Sequence, residues 1–378
     1  MAVLYKVQTG AYRNRAGAIA ASLIVESGIK KYLKKKGITD KVSVAVISSG
    51  GWHKVQVGAF SSKANAEKRL ALVKAAGFKK AVILETKTQD APEGENHRIR
   101  VWPIWFFEGD EGLYGDCTAI IEYEADNKTI AHCILIDCAM ASASKVVIKK
   151  LKAAGVKEID AIFLSHGHGD HYGGLTDMLK AFHVGKLFLP DCTELDKYQK
   201  PYGNALRRQA AKVEDSRFLK AGDKVQIGHI ACDCLFICKA GDLPKHDSHI
   251  FVNNESMALL FRLGAVKFFT AGDLSNDGNK ILVKTVKDIR AHIFKFQWHG
   301  DRNAITKALM AAIRPLICFS NYHHKETKGG RQLTRRVAEA IGALVLQNWL
   351  HGDIYIDIEG DTITVTCSKG NIRKVFRI

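Results

Sequence analysis

Apolar and polar residues alternate in two short segments near the start of the chain, and the two segments echo each other. YKVQTGAY occupies positions 5–12 and HKVQVGAF occupies positions 53–60. Alternation with a period of two is typical of half-buried strands. Helical spacing follows each of them, over 15–37 and 63–78, and then comes a further strand-like run, KVSVAVISS or KAVILET. This order predicts one small α+β domain, βαββαβ, with the echoing strands central and the helices on one face, in preference to a tandem repeat.

A polar segment, TKTQDAPEGENH, follows this first part of the chain and indicates a linker. Beyond it, strand-like and helical runs alternate, as in TAIIEYE, HCILIDCA, SKVVIKKLKAAG and DAIFLSH. That alternation predicts a layered α/β domain with its strands inside. We therefore expect a first domain over 1–87, a linker over 88–97 and a second domain over 98–378.

Length and composition fit this two-domain organisation. The 378 residues, 47% of them hydrophobic and 25% charged, are ordinary for two globular domains. The nine cysteines all stand at Cys117 or later and form no C-x-x-C pair, so they are expected to be reduced core residues. MAVLYKVQTG has no charged-then-apolar leader. We therefore expect cytoplasmic synthesis without a visible signal peptide, and no integral membrane segment.

Positive charge is concentrated in the first quarter of the chain. The net charge is +17, and residues 1–90 hold 17 Lys and Arg against 5 Asp and Glu. The rest of the chain carries only +5. This asymmetry predicts a polyanionic neighbour for the first domain, such as nucleic acid or an anionic cell envelope. For the run KKYLKKK, a solvated helix face is the alternative interpretation.

A dense group of metal-ligand side chains directly follows the apolar run DAIFLS. The loop reads HGHGDHYGG, and its glycines allow the backbone to turn tightly enough for several side chains to converge. His166, His168, Asp170 and His171 supply imidazoles and a carboxylate, which are the ligands that zinc and similar ions prefer. The loop therefore predicts a metal site.

The first domain resembles the SPOR domain, through VQTGAY and WHKVQVGAFSSKANAEKRLALVKAAGF. The resemblance implies binding to peptidoglycan glycan strands that lack stem peptides, through the open face of the sheet. The residues implied near that face are Gln8, Gly10, Tyr12, Gln56, Gly58 and Phe60, with Tyr12 and Phe60 either on the face or in the core. Single-stranded RNA is the rival ligand, because a similar sheet can read it with stacked aromatics. The sequence has no RNP-type motif, which favours glycan.

The second domain resembles the metallo-β-lactamase fold superfamily, whose signature is H-x-H-x-D-H after an apolar strand. The resemblance covers residues 98–378 and implies an αββα sandwich that holds two divalent metal ions, with zinc favoured and manganese or iron as alternatives. Asp137, in HCILIDCA, matches a strand-end aspartate. The implied ligands are His166 and His168 for the first ion, Asp170, His171 and His299 for the second, and Asp273 between them. Asp170 and His171 are also the implied catalytic residues.

One ligand of the first ion is not matched. The family usually has a further histidine where this chain reads HDSHIFVNNESMALLF. The run NNES followed by an apolar strand resembles the branch found in bacterial DNA-uptake channel proteins, in which asparagine and serine occupy this place. His249 or His246 could substitute as the ligand, and His323 and His324, in SNYHHKE, are expected in a substrate loop. Ordinary surface histidines are the alternative for all four.

The resemblance implies a metal-dependent hydrolase in which a hydroxide activated by two metal ions attacks the substrate. The fold does not choose the substrate. The resemblance to the DNA-uptake branch and the basic charge favour a phosphodiester, such as nucleic acid. A bacterial or phage cell-wall hydrolase of the lysin type is the alternative. A non-catalytic wall-binding protein with a relic fold is a third hypothesis, which the intact motif disfavours.

Overall fold

The chain folds into two compact units. The computed structural model describes residues 3–38, 44–49, 52–60, 62–87, 97–106, 113–193, 195–239, 242–243, 248–301, 303–321 and 330–378. The first unit comprises Met1–Asn96, Glu359–Thr366 and Arg373–Ile378, and the second comprises His97–Ile358 and Cys367–Ile372. Residues 88–96 of the predicted linker lie outside the described residues.

The first unit is built around the two echoing strands. Its elements in chain order are β1 (Val3–Tyr12), α1 (Arg15–Lys36), β2 (Ala45–Ser49), β3 (Trp52–Phe60), α2 (Lys63–Ala75) and β4 (Val82–Lys87). The strands pair antiparallel in the order β2-β3-β1-β4, so that β1 and β3 are central, as predicted. Val7 of β1 and its counterpart Val55 of β3 are fully buried, and they belong to one core with Ile29 of α1 and Val73 of α2.

Matching side chains of β1 and β3 occupy matching places. Gln8 stands directly opposite Gln56 across the pair. A Cβ on Gly10 would lie 2.9 Å from the Tyr12 ring, and a Cβ on Gly58 would lie 2.8 Å from the Phe60 ring, so each ring folds back over a glycine. Tyr12 and Phe60 are half-buried and pack against the core of this unit. Of the two placements left open for these aromatics, the structure favours the core.

The second unit contains two sheets with helices outside them. Its first elements are β5 (Ile99–Pro103), β6 (Thr118–Tyr123), β7 (Ile130–Ile136), α3 (Ser144–Ala153), β8 (Glu158–Phe163), α4 (Gly169–Tyr172), α5 (Leu175–Ala181), β9 (His183–Pro190), α6 (Leu195–Ala210) and β10 (Ser216–Leu219). The chain continues through β11 (Lys224–Ile227), β12 (Ile230–Phe236), α7 (Ser248–Asn254), β13 (Ala258–Leu263), β14 (Val266–Thr270), α8 (Asn276–Thr285) and β15 (Ile293–Lys295). It ends with α9 (Lys307–Ile313), β16 (Ile317–Ser320), α10 (Gly330–Ala340), β17 (Leu344–Gln347), α11 (Asn348–His351) and β18 (Ile354–Glu359). The final hairpin, β19 (Thr362–Cys367) and β20 (Arg373–Arg377), belongs almost entirely to the first unit, where β20 runs parallel beside β2.

The strand order places the ends of several parallel strands together. In the first sheet of the second unit the order is β10-β9-β8-β7-β6-β5-β18, and in the second sheet it is β11-β12-β13-β14-β15-β16-β17. Strands β7 to β10 are mutually parallel, and so are β14 to β17. Within each set, the loops that follow the strands therefore emerge at one edge of the sheet.

Aromatic side chains fill the space between the two sheets. The ring of Phe163 on β8 lies 4.7 Å from that of Phe188 on β9 and meets the ring of Phe261 on β13 edge-on, at a centroid distance of 5.4 Å. Outside this layer, α3 and α5 pack on the first sheet, and α8, α9 and α10 pack on the second. The unit is therefore the αββα sandwich that the sequence predicted.

We predict that Phe261→Ala destabilises the second unit by about 3–5 kcal/mol, because it removes a buried ring between the sheets and the cavity can close only partly. Leu350→Ala, at a position that is 36% exposed, is the control and should change stability much less. Chemical denaturation followed by circular dichroism measures both. Equal stabilities of the two variants would show that the sheets do not depend on this aromatic layer.

Candidate metal centre

The loop after β8 carries four of the predicted ligands into one buried place. His166 and His171 are fully buried and His168 is 8% exposed. His166 Nε2 lies 3.0 Å from His168 Nδ1, and the His166 and His171 rings have centroids 4.1 Å apart. The last residues of the loop form the short helix α4, which contains Asp170 and His171.

Asp137, at the end of β7, fixes this loop. Its Oδ1 accepts a hydrogen bond from the Ser165 N–H at 2.7 Å. Its Oδ2 lies 2.8 Å from Ser165 Oγ and 2.8 Å from His171 Nδ1. Because an ionised carboxylate can only accept, His171 carries a proton on Nδ1, and Nε2 is the ring nitrogen that faces the site.

Asp273 enters from the other sheet, three residues after β14. Its Oδ2 lies 3.4 Å from His171 Nε2 and 3.5 Å from His299 Nε2. Among the described residues, Asp273 Oδ1 and His171 Nε2 are both buried without a hydrogen-bond partner. Buried polar atoms without a partner call for an explanation, and these two are of the kinds that bind a cation.

His299 follows β15 and completes the group. It lies in a 3₁₀ turn over Gln297–Gly300, with a positive φ of 51°. Its Nε2 is 3.2 Å from Asp170 Oδ2, and its Nδ1 is 3.3 Å from Asp116 Oδ1. A non-glycine residue held at positive φ is strained, and such strain is tolerated where the surrounding contacts fix the side chain.

Asp116, which the sequence analysis did not select, also belongs to the centre. It is fully buried just before β6 and forms an ion pair with the buried Lys295 of β15. One ligand atom from each of four residues lies within 4.8 Å of the others, and these residues are Asp116, His171, Asp273 and His299. The only sequence signal for Asp116 was its position in GDCTAIIEYE, directly before an apolar strand.

The carboxylates of the group determine the pKa values of its histidines. Burial alone would lower the pKa of His171, but Asp273, Asp170 and Asp137 raise it well above its ordinary value. Burial likewise lowers the pKa of His299, while Asp116 and Asp273 outweigh this and raise it to about 10. Burial would raise the pKa of Asp273, but His171 and His299 hold it well below its usual range. Four carboxylates therefore surround these imidazoles, and the buried Lys295 adds a further positive charge beside Asp116.

The residues present fit divalent metal ions. The donors are imidazole nitrogens and carboxylate oxygens, the ligand types of zinc, manganese and iron sites. They come from the ends of strands in both sheets, and Asp137 orients His171 as an outer carboxylate orients a ligand histidine. Asp116 orients His299 in the same way, because its carboxylate lies beside His299 Nδ1. The other ring nitrogen, His299 Nε2, then faces the site.

Side chains of the NNES run form hydrogen bonds with the loop that carries Asp273. The Asp273 N–H donates to Ser256 Oγ at 3.0 Å, and Asn254 Oδ1 accepts from both the N–H and the hydroxyl of Ser275. These contacts hold the loop that carries Asp273. His249 lies in α7, but its side chain is outside the described part of the structure. The residues His246, His323 and His324 are outside it altogether. Their predicted roles stay predictions.

The predicted glycan-binding residues lie together on the two central strands of the first unit, away from this centre in sequence. Gln56 is 4% exposed and Gln8 is half-buried. Gly10 and Gly58 lie under the rings of Tyr12 and Phe60. None of the helices in the described residues is long and apolar enough to cross a membrane.

Comparison with known families finds one match in each unit. Residues 2–84 match the family model of the SPOR domain, and residues 129–191 match that of the metallo-beta-lactamase superfamily. The second match contains the loop after β8.

Similarity to individual proteins covers parts of the chain. ComE operon protein 3 of Bacillus subtilis (strain 168) is 26% identical over 190 residues, which are 49% of this chain and 23% of that protein, so the match spans under a quarter of that relative. The structure of CmlA, a diiron beta-hydroxylase from Streptomyces venezuelae, has a TM-score of 0.47 and 12% identity, and the match covers 78% of this chain and 59% of that one. The peptidoglycan binding domain of the B. subtilis cell wall lytic enzyme CwlC is 34% identical, with a TM-score of 0.18 and coverage of 23% of this chain and 94% of that one.

We predict that His171→Ala and Asp273→Ala each lower the content of tightly bound divalent metal in the purified full chain. Both residues contribute atoms to the buried cluster, and removing either leaves fewer than a full shell of ligands. The exposed His183 of β9 gives the control His183→Ala, which should keep the wild-type metal content. Elemental analysis by mass spectrometry measures all four proteins, and circular dichroism checks that each is folded. Equal metal content in folded wild-type and Asp273→Ala protein would contradict the assignment of this centre.

Proposed function

The chain joins a SPOR domain to a hydrolase domain of the metallo-β-lactamase fold, and from this premise we propose that it is a metal-dependent phosphodiesterase held at peptidoglycan by its first domain. The observation that carries the proposal is the buried group formed by His171, Asp273 and His299, with its surrounding carboxylates. A site of this composition has no role in packing, because burying so many ionisable groups costs free energy unless a cation compensates them.

The family resemblance implies which residues would hold metal ions. His166 and His168 would bind a first ion, Asp170, His171 and His299 a second, and Asp273 would lie between them. When bound, such ions lower the pKa of water towards neutrality and stabilise the negative charge that develops during hydrolysis. Zinc is the ion that this donor set favours, with manganese and iron as alternatives.

The protein's own side chains have distinct parts in the reaction. Asp170 is 20% exposed, against at most 4% for Asp116 and Asp273, so its carboxylate is the one that can reach incoming water and substrate. It would accept a hydrogen bond from the attacking water and orient it. Asp137 keeps the His171 proton on Nδ1 throughout. Lys295, whose pKa is raised by Asp116 and Asp273 against the opposite effect of burial, stays protonated and keeps Asp116 in place beside His299.

A phosphodiester is the substrate class that we propose. Support comes from the resemblance of the NNES strand to the DNA-uptake branch and from the similarity to ComE operon protein 3. The basic charge adds little, because +12 of the +17 lies in residues 1–90. The SPOR domain supports glycan binding and hence a place of action at a bacterial cell wall. The same domain favours a cell-wall hydrolase as the second candidate.

We predict that the metal-loaded full chain hydrolyses bis-p-nitrophenyl phosphate and plasmid DNA, and that His171→Ala lowers the rate on the order of a hundredfold or more. The variant removes a residue expected to hold the ion that stabilises the developing charge. His183→Ala should keep the wild-type rate. Purified sacculi are tested in parallel, and release of soluble wall fragments without any phosphodiester cleavage would favour the cell-wall hydrolase instead.

Binding to the wall is tested separately from turnover. The full-length Asp273→Ala variant should sediment with sacculi stripped of stem peptides and much less with intact sacculi, because the SPOR resemblance implies recognition of bare glycan. Adding plasmid DNA as a competitor should not release it. Equal sedimentation with both kinds of sacculi, or release by DNA, would overturn the proposed role of the first domain.

A further inference from the structure

A second group of metal-ligand side chains lies in the larger unit, apart from the centre described above. Its members are His97, Glu122 and His229, which each offer one ligand atom within 4.8 Å of the others. Glu122 is near the end of β6, whereas Asp116 stands before the start of that strand. At about 3.3 Å per residue, the two carboxylates are roughly 15 Å or more apart.

Both sheets contribute to this second group. In β6, Ala119, Ile121 and Tyr123 pack on the helix side of the first sheet, so that Glu122 points to the other side, towards the second sheet. His229 belongs to the turn between β11 and β12 of the second sheet. Its N–H donates to Glu122 Oε2 at 3.0 Å, and its Nδ1 lies 2.5 Å from Glu122 Oε1. The group therefore connects one sheet to the other.

The histidines present the nitrogen that a metal requires. His97 Nδ1 lies 3.1 Å from the Tyr123 carbonyl oxygen, which can only accept, so Nδ1 carries the proton and Nε2 the lone pair. His132, directly opposite Glu122 on β7, has its Nδ1 2.8 Å from Asp160 Oδ1 and is fixed in the same tautomer. A ligand histidine that donates its other ring N–H to a carbonyl or carboxylate is the usual arrangement in metal sites.

The backbone of the β11–β12 turn is pressed against these side chains. A Cβ on Gly228 would lie 2.3 Å from Glu122 Oε2 and 2.8 Å from His132 Nε2, so the backbone of the turn lies directly against both side chains. Gly228 also has a positive φ of 52°, so a larger residue would fit neither in space nor in conformation. The His97 and His229 rings stack at a centroid distance of 4.4 Å. The turn thus brings His229 against Glu122 and His97 with little room to spare.

We propose that His97, Glu122 and His229 form a second zinc site that ties the two sheets together, with His132 beside Glu122 on the neighbouring strand. The buried carboxylate of Glu122 is 1% exposed, and in the described residues both of its hydrogen bonds come from His229. A cation shared with imidazoles would compensate that buried charge. Two imidazoles and one carboxylate supply three ligands of the types that zinc prefers, and a water molecule can complete a tetrahedral set.

The number of zinc ions bound per chain tests this second site. The measurement does not depend on the proposed catalytic function. Wild type, His229→Ala and the control His183→Ala are saturated with zinc, dialysed and analysed by mass spectrometry. His229→Ala should retain about one zinc ion per chain fewer than wild type, and His183→Ala should retain the wild-type number. His229 is 64% exposed, so its replacement is expected to leave the fold intact, and circular dichroism checks this.

A second variant, Glu122→Gln, and a second measurement, the melting temperature, test the zinc site independently. Glu122→Gln preserves the size of the side chain and removes its charge, and it should show the same deficit of one zinc ion. Zinc should also raise the melting temperature of His183→Ala protein more than that of His229→Ala, while the rate of phosphodiester hydrolysis by His229→Ala stays at the wild-type value. Unchanged zinc content in both His229→Ala and Glu122→Gln would overturn the second site, whatever the outcome for the catalytic centre.

Discussion

The carboxylate of Asp137 is the contact on which the centre depends. It accepts hydrogen bonds from the backbone and side chain of Ser165 and faces His171 Nδ1, so it fixes both where the loop after β8 begins and which nitrogen of His171 is available. Since β7 and β8 are parallel neighbours, their ends lie side by side, and Asp137 can therefore reach the loop after β8. Every other ligand then converges on a position that this one interaction defines.

The second sheet also contributes residues to the metal centre, and hydrogen bonds again hold the loops that carry them. Ser256 and Asn254 hold the loop that carries Asp273, and a strained turn directs His299 at Asp170 and Asp116. The two sheets therefore bring oppositely charged groups together at one edge, where burial strengthens each interaction. At another part of the same interface, Glu122 and His229 make a similar contact between the sheets. The aromatic layer fills the space between the sheets, and these polar contacts connect the sheets at two further places.

Much of this was predictable from the sequence, and the reasons for the rest are physical. The ligands in the loop after β8 were predicted because they are close in sequence, and Asp273 and His299 because FFTAGD and FKFQWHGD resemble strands of the metallo-β-lactamase fold. Asp116 and Lys295 were missed because their pairing depends on which strands become neighbours in three dimensions, which no local pattern encodes. The group of His97, Glu122 and His229 was missed for the same reason, since its members are spread over 133 positions. Tyr12 and Phe60 were left open between core and open face because alternation along a strand does not show which side a helix covers.

The central claim is that the buried cluster of Asp and His residues exists to hold divalent cations. Anomalous diffraction at the zinc edge, from crystals of the full chain grown with zinc, tests it most directly. We expect a peak within about 2.0–2.2 Å of His171 Nε2 and of a carboxylate oxygen of Asp273. A map without any peak between those two residues, from crystals that contain zinc, would contradict the claim.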